Sequence, residues 1–177
     1  MIKELKEWGK SIGIAIILAL IVRAFFMESF IVDGRSMEPT FYNQERVLVN
    51  KFIYNFREPG FGDIIVFPYP VEEERILIKR VVGTENDQVE IKNGTLIING
   101  QKVDENYILQ GYSGQNFGPV KVPEGSVFVL GDNRNNSIDS RNNEVGFIPV
   151  DEVRGKTFFR YWPISNINYF TINTLEG

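Results

Sequence analysis

The sequence contains no histidine and no cysteine in its 177 residues. The lack of cysteine excludes disulfides and a thiolate nucleophile, and the lack of both residues removes the usual ligands of zinc. The chain also has no excess of positive charge, since its formal net charge is -4. That balance argues against a nucleic-acid surface. We therefore expect no metal, no cofactor and no nucleic-acid partner, and any serine nucleophile must use a base other than histidine.

The body of the chain has the pattern of a β protein. It is 43% hydrophobic and 13% aromatic, which is typical of a folded domain. From residue 30 onward, short apolar runs alternate with Gly, Pro, Asn and Asp. Asn93-Gly94 and Asn99-Gly100 predict tight hairpin turns. The runs predict strands over residues 46–52, 63–68, 75–82, 88–92, 95–98, 126–130 and 156–162. We expect an antiparallel β-sandwich or partly closed barrel, with a small insert at residues 93–121.

The amino-terminal segment predicts a transmembrane helix. Residues 11–22 carry no charge, and the apolar stretch from Trp8 to Phe26 covers about 19 residues. A helix of that length at about 1.5 Å per residue matches a hydrocarbon core of about 30 Å. We therefore divide the chain into an anchor, residues 1–28, and a β domain, residues 29–177.

Two other interpretations of this segment fit the residues less well. A cleavable signal peptide would be followed by a small-x-small site, which the residues after position 22 do not offer. A buried core helix would have a polar face, which residues 12–22 lack. Lys3, Lys6 and Lys10 precede the charge-free run at residues 11–22, against Arg23 and Arg35 after it, and this balance weakly favours a cytoplasmic amino terminus.

Ser36 and Lys79 are the candidate catalytic pair. Lys79 lies in a predicted strand, on the same face as Leu77 and Val81. Desolvation by such neighbours disfavours the ammonium, and lowering its pKa from about 10.4 to about 8 costs roughly 3 kcal/mol. A neutral amine can then take the proton of the Ser36 hydroxyl.

Each feature also has a simpler explanation when taken alone. Lys79 could extend from a strand edge into water, and Ser36, between Gly34 and Pro39, could form an ordinary turn. The polar stretch over residues 131–141 could be a solvated loop whose ion pairs contribute little. The order and spacing of the three features carry more information than any one of them.

In that order the chain resembles a bacterial type I signal peptidase of the Gram-positive kind. The matching stretches begin with Gly-Arg-Ser-Met-Glu-Pro-Thr at residues 34–40 and Gly-Asp-Ile-Ile-Val-Phe at residues 62–67. They continue with Ile-Lys-Arg-Val-Val-Gly at residues 78–83, Gly-Asp-Asn-Arg at the start of residues 131–141, and Gly146. The resemblance implies a membrane-anchored serine endopeptidase with an extracytoplasmic β domain and a Ser-Lys dyad. Its substrates would be exported preproteins, cut after Ala-x-Ala sites.

The resemblance also implies roles for individual residues. Ser36 would be the nucleophile, Lys79 the general base and Ser137 the residue that orients the lysine. Gly34 stands where Gram-negative members have a serine that donates to the oxyanion, so the backbone amides of Ser36 and Gly34 would serve instead. The structural ion-pair positions behind the site would be Asp132, Arg134, Asp139 and Arg141, with Arg80 joining them. No catalytic residue is expected in the insert.

An extended signal peptide would bind between two strands of the site by β-augmentation. Its small side chains would enter shallow apolar pockets lined by four residues: Val32, Met37, Leu77 and Ile78.

The resemblance places the protein in the plasma membrane as a single-pass protein, with the lipid bilayer as a further partner. Two rival interpretations stay open at this point. One is a self-cleaving repressor-type Ser-Lys protease, which would carry a DNA-binding segment, and the other is a membrane-anchored β module without catalytic activity.

Overall fold

A single amino-terminal helix leads directly into the β domain. The structure, a computed structural model, describes residues 2–108, 114 and 116–170. Helix α1 spans Ile2–Phe26, and the next strand begins at Met27. Seven of the described apolar side chains of α1 are more than half exposed, which argues against a buried core helix: Trp8, Ile12, Ile14, Ile16, Ile17, Leu18 and Leu20.

The membrane-spanning helix was predicted from the apolar run in α1. Among the residues that the structure describes, no helix combines the length and hydropathy needed to cross a bilayer.

Twelve strands follow the helix within the described chain. In chain order they are β1 (Met27–Ile31), β2 (Arg46–Asn50), β3 (Ile64–Tyr69), β4 (Glu72–Gly83), β5 (Gln88–Lys92), β6 (Thr95–Ile98), β7 (Gln101–Lys102), β8 (Phe117–Lys121), β9 (Ser126–Leu130), β10 (Ile148–Pro149), β11 (Gly155–Trp162) and β12 (Asn168–Tyr169). All seven predicted strands are present, and β5, β6 and β9 have the predicted bounds. Five strands were not predicted. Three of them, β7, β10 and β12, have only two residues each, and β1 and β8 lack a regular alternation of apolar and polar residues.

The larger sheet has eight strands in the order β1-β2-β11-β3-β4-β9-β10, with β12 paired to β11. All of its pairings are antiparallel. Within the described residues the path ends at β1 and β10 and does not return on itself. The antiparallel β prediction is therefore confirmed, and the described part of the chain does not form a closed barrel.

The smaller sheet has the order β7-β6-β5-β8 and is the predicted insert. It begins at Gln88 rather than at residue 93, because β5 pairs with β6 and β8 and not with the larger sheet. The two predicted hairpin turns are present: Asn93 and Asn99 have φ values of 49° and 52°, in the left-handed region that asparagine tolerates.

Three apolar clusters hold the strands in place. One, around Ile65, Phe67 and Val81, packs on one face of β3 and β4. A second joins the two sheets through Val82 and Phe128. The third includes Val32, Met37, Phe41, Val47 and Ile64, and it fixes the turn that carries Ser36 against the larger sheet.

Candidate active site

Ser36 lies in the turn that follows β1, and the loop after β9 holds its backbone. The Asn133 amide donates to the Ser36 carbonyl at 3.0 Å, and the Asn133 side chain donates to the Arg35 carbonyl at 3.1 Å. Gly131 packs so closely against the Ser36 carbonyl and Ser137 that a Cβ atom would overlap both. A glycine at position 131 is therefore needed for this close approach, and Asn133 supplies the hydrogen bonds.

Lys79 reaches Ser36 from the middle of β4. Only 2% of the residue is exposed, and its Nζ lies 2.8 Å from Ser36 Oγ. The Nζ also donates to the Ile78 carbonyl at 2.9 Å. The two residues are 43 positions apart in sequence, and the antiparallel pairing of β3 with β4 sets the position of Lys79 opposite Ile65.

Burial lowers the pKa of Lys79 from its ordinary 10.5 to about 8. Desolvation is the largest cause, and Arg75 lowers the pKa further through charge repulsion. The carboxylates of Asp139 and Asp132 act in the opposite direction. Desolvation prevails because Leu77, Val81 and the neighbouring strands exclude water from the amine.

This geometry permits general base chemistry. Near pH 8 about half of the Lys79 side chains are neutral, and the lone pair of a neutral amine can accept the hydroxyl proton across 2.8 Å. In that form an N–H can still donate to the Ile78 carbonyl, which leaves the lone pair free to face Ser36 Oγ. The arrangement can thus generate an alkoxide-like nucleophile without histidine.

The predicted contact between Ser137 and Lys79 is not made. Ser137 Oγ is buried and has no hydrogen-bond partner among the described residues, so the second contact of the amine is the Ile78 carbonyl. Because Gly131 brings Ser137 close to the Ser36 backbone, the serine lies in the site but does not orient the lysine by a hydrogen bond.

The backbone amide of Gly34 also differs from the expectation. It donates to Asn43 Oδ1 at 2.9 Å, and Gly34 has a φ of 92°, which glycine tolerates best. Since Asn43 already accepts from this amide, its predicted service to an oxyanion is not supported. No signal in the sequence pointed to Asn43, because the contact depends on how the chain turns back after Pro39.

The structure pairs four of the five predicted ion-pair residues with one another. Arg80 binds Asp132 through Nε at 2.8 Å and Nη2 at 2.7 Å. Arg141 binds Asp139 in the same two-pronged manner, with both contacts at 2.8 Å. Each carboxylate is 1% exposed. These pairs fix the loop over residues 131–141, because Asp139 also accepts from the Gly131 amide at 3.0 Å.

Arg134 has a partner that the sequence did not reveal. Its guanidinium pairs with Glu105, from the insert, and both side chains are almost fully buried. The Nη1 contact to Glu105 Oε2 is 2.9 Å. An acidic residue in a polar stretch gives no local indication of such a contact, which joins positions 29 residues apart.

A groove of about 650 Å³ passes over the Ser-Lys pair. One wall is formed by residues 30–36 and the other by residues 75–79 of β4, with residues 135–138 at one end. Three of the predicted pocket residues, Val32, Leu77 and Ile78, line it. Met37 does not: it is fully buried in the cluster with Phe41 and Val47, so its assignment to the pocket is wrong. In the described part of the chain, no group of three acidic residues lies close enough to hold a metal ion.

A β domain in which a serine hydroxyl and a desolvated lysine meet at the floor of a groove has the make-up of a serine hydrolase. The family model described as "Signal peptidase, peptidase S26" matches residues 5–162. Because that match covers most of the chain, the protein belongs to the signal peptidase family, and specifically to the bacterial type I signal peptidases.

Several relatives support this assignment. Signal peptidase I S of Bacillus subtilis is 40% identical over 93% of this chain and 93% of its own length. Signal peptidase I P of Bacillus subtilis subsp. natto is 42% identical, over 91% of this chain and 90% of its own. A signal peptidase I crystal structure from Enterococcus faecalis superposes with a TM-score of 0.50 and 34% identity, covering 56% of this chain and 97% of that one.

Proposed function

We propose that this protein is a membrane-attached serine endopeptidase that removes amino-terminal signal peptides from exported preproteins. Ser36 is the nucleophile and Lys79 is the general base. The observation that carries the proposal is the 2.8 Å separation between Lys79 Nζ and Ser36 Oγ, with the lysine 2% exposed. Membership of the signal peptidase family supports the substrate class.

The reaction proceeds through an ester on Ser36. Neutral Lys79 takes the hydroxyl proton as Ser36 Oγ attacks the scissile carbonyl carbon, which forms a tetrahedral intermediate. The resulting ammonium gives its proton to the leaving amine, and the C–N bond breaks. A water molecule then attacks the ester while Lys79 accepts its proton, and the C–O bond to Ser36 breaks. Return of that proton to Ser36 Oγ restores the neutral amine.

The negative oxygen of the intermediate is stabilised by the Ser36 backbone amide. Among the hydrogen bonds of the described residues, none uses this amide, whereas the Gly34 amide is bound by Asn43. A single backbone donor is a modest oxyanion site, since each such donor contributes roughly 100-fold or more in rate. The Asn133 side chain donates to the Arg35 carbonyl at 3.1 Å, and this contact holds the peptide plane that contains the Ser36 amide.

The substrate binds as an extended strand in the groove. β9 pairs with β4 only from Arg80 onward, so within the described chain the edge of β4 over residues 75–79 faces the groove without a strand partner. A peptide placed there can add backbone hydrogen bonds, and its alternate side chains can contact Val32 and Ile78, which line the groove. The aliphatic residues that line the groove suit small apolar side chains, which supports a preference for alanine at Ala-x-Ala sites.

Attachment to a bilayer is part of the proposal. The exposed apolar side chains of α1 and an aromatic cluster at its carboxyl end support it. In that cluster Phe52 makes edge-to-face contacts with Phe26 and Phe56, with ring centroids 4.9 Å apart in both contacts. Phe56 is 77% exposed, and aromatic rings suit the membrane interface. The single-pass topology with a cytoplasmic amino terminus and an extracytoplasmic catalytic domain stays a prediction of the charge distribution.

Cleavage of a preprotein by the full chain in lipid vesicles tests the function. We expect one cut, directly after the second alanine of an Ala-x-Ala site, with the position established by mass spectrometry of both products. Tryptophan in place of that alanine should lower kcat/KM by about 100-fold or more, because its side chain is far larger than the methyl group that the proposed site accepts. Binding of the preprotein without any cut would instead support a catalytically silent β module.

A further inference from the structure

The insert contacts the loop that holds the nucleophile through a buried ion pair. The side chains of Glu105 and Arg134 are 4% and 1% exposed, and the guanidinium meets both carboxylate oxygens. Because both side chains are buried, water cannot solvate one charge after the other is removed. Loss of either residue would therefore leave an uncompensated buried charge. The contact therefore resists separation of the insert from the larger sheet.

Arg134 transmits this contact toward Ser36. Its Nε donates to the Gly131 carbonyl at 3.1 Å, and its own carbonyl accepts from Arg141 Nη2 at 2.9 Å. Gly131 is the residue packed against the Ser36 carbonyl. A path of direct contacts thus leads from Glu105 through Arg134 and Gly131 to the backbone of the nucleophile.

Tyr107 makes a second contact from the same segment. Its hydroxyl donates to Glu105 Oε1 at 2.7 Å, and its ring lies 4.0 Å from the centre of the Arg80 guanidinium. A guanidinium that is stacked on a ring is held in one orientation and shielded from water. Arg80 in that orientation binds Asp132, the neighbour of Asn133, whose amide donates to the Ser36 carbonyl.

We propose that Glu105 and Tyr107 are positioning residues, through which the insert braces the loop over residues 131–134 and so keeps Ser36 in line with Lys79. The inference rests on the proposed function. Among the described contacts, neither residue touches Ser36, Lys79 or the groove, so both act through Arg80 and Arg134. The smaller sheet is then a structural support of the active site rather than a separate binding lobe.

Variants of Tyr107 and Glu105 test this role with steady-state kinetics of preprotein cleavage. Tyr107→Leu removes the ring and Tyr107→Phe keeps it, while Glu105→Gln removes the buried charge. We expect Tyr107→Leu and Glu105→Gln to lower kcat by about tenfold or more with KM within about twofold, because the groove is unchanged. Tyr107→Phe should restore kcat to within about threefold of the parent. Asp104→Asn, at the exposed neighbour of Glu105, is the matched control and should behave as the parent.

The Tyr107 pair decides the outcome even if Glu105→Gln does not fold. Each kcat is normalised to the folded fraction, measured by near-ultraviolet circular dichroism. Parent-like kcat in Tyr107→Leu, an equal loss in Tyr107→Phe, or a loss confined to KM would overturn the proposal. Ser36→Ala, run in parallel, separates a failure of the proposed function from a failure of the positioning role. Cleavage by Ser36→Ala would contradict the proposed function itself. If Ser36→Ala is inactive, the Tyr107 variants decide the positioning role.

Discussion

Lys79→Met is expected to abolish preprotein cleavage while leaving the fold intact and more stable. Methionine matches the length and apolar character of the lysine stem but cannot accept a proton, and no histidine exists to replace it. A loss of about 10⁴-fold or more in kcat is the expected size for a residue that works as a unit with its nucleophile. The assay is preprotein cleavage in lipid, beside thermal and urea unfolding of the same samples.

The stability gain follows from the sign of the pKa shift. Since the pKa of Lys79 falls from 10.5 in the unfolded chain to about 8 in the folded protein, the unfolded state binds more protons between these values, and stability rises with pH there. Below pH 8 the buried amine destabilises the fold by as much as about 3 kcal/mol. Methionine removes that cost, although it leaves Ser36 Oγ without its partner, which offsets about 1 kcal/mol.

Residual cleavage above one-hundredth of the parent rate would contradict the role of Lys79. So would a Lys79→Met protein that is less stable than the parent at pH 7, because that result would mean that the amine contributes more as a hydrogen-bond donor than it costs as a buried base. A suitable control is Lys51→Met, because Lys51 is exposed and pairs only loosely with Glu28 at 3.6 Å.

Ser36→Ala is expected to show an equally large loss of activity with only a small change in stability. The hydroxyl forms the new bond to the substrate, so alanine leaves the groove intact but removes the attacking atom. We expect a loss of about 10⁴-fold or more in kcat and unchanged binding of the preprotein. The matched control is Ser29→Ala in β1. Ser29 is exposed, and among the described residues its Oγ forms a hydrogen bond with the Tyr161 hydroxyl.

The double variant distinguishes a catalytic pair from two independent contributors. If Ser36 and Lys79 act as a unit, Ser36→Ala combined with Lys79→Met should be no slower than either single variant. Multiplied losses would show that another group takes the serine proton in the parent enzyme.

Local sequence patterns were sufficient for the strands and for the face of β4 that carries Lys79. Alternation placed Lys79 beside Leu77 and Val81, and the asparagine-glycine pairs placed the hairpins, because both signals depend on neighbouring residues only. Strand β1 was missed since it follows the helix without a turn residue, and its sequence Met-Glu-Ser-Phe-Ile does not alternate between apolar and polar residues.

The contacts that refine the site could not be predicted from the chain alone. The Gly34 contact with Asn43 and the Arg134 contact with Glu105 depend on how distant segments meet, and neither has a local pattern. Met37 was predicted to line the substrate pocket, yet its side chain is fully buried in the core cluster with Phe41 and Val47. Resemblance to a family located the dyad, whereas packing decides which neighbours line the groove.

The charge state of one amine decides whether this chemistry can operate near neutral pH, and it can be measured directly. Titration of the Lys79 side chain by carbon-13 NMR of ε-labelled lysine in the full protein, with Lys79→Met to assign the resonance, reports that state. A midpoint near pH 8 is predicted, together with a kcat/KM that rises through the same pH and then levels off. A midpoint above pH 10, or a rate still climbing tenfold per unit there, would show that Lys79 is an ordinary charged lysine and that Ser36 has no base.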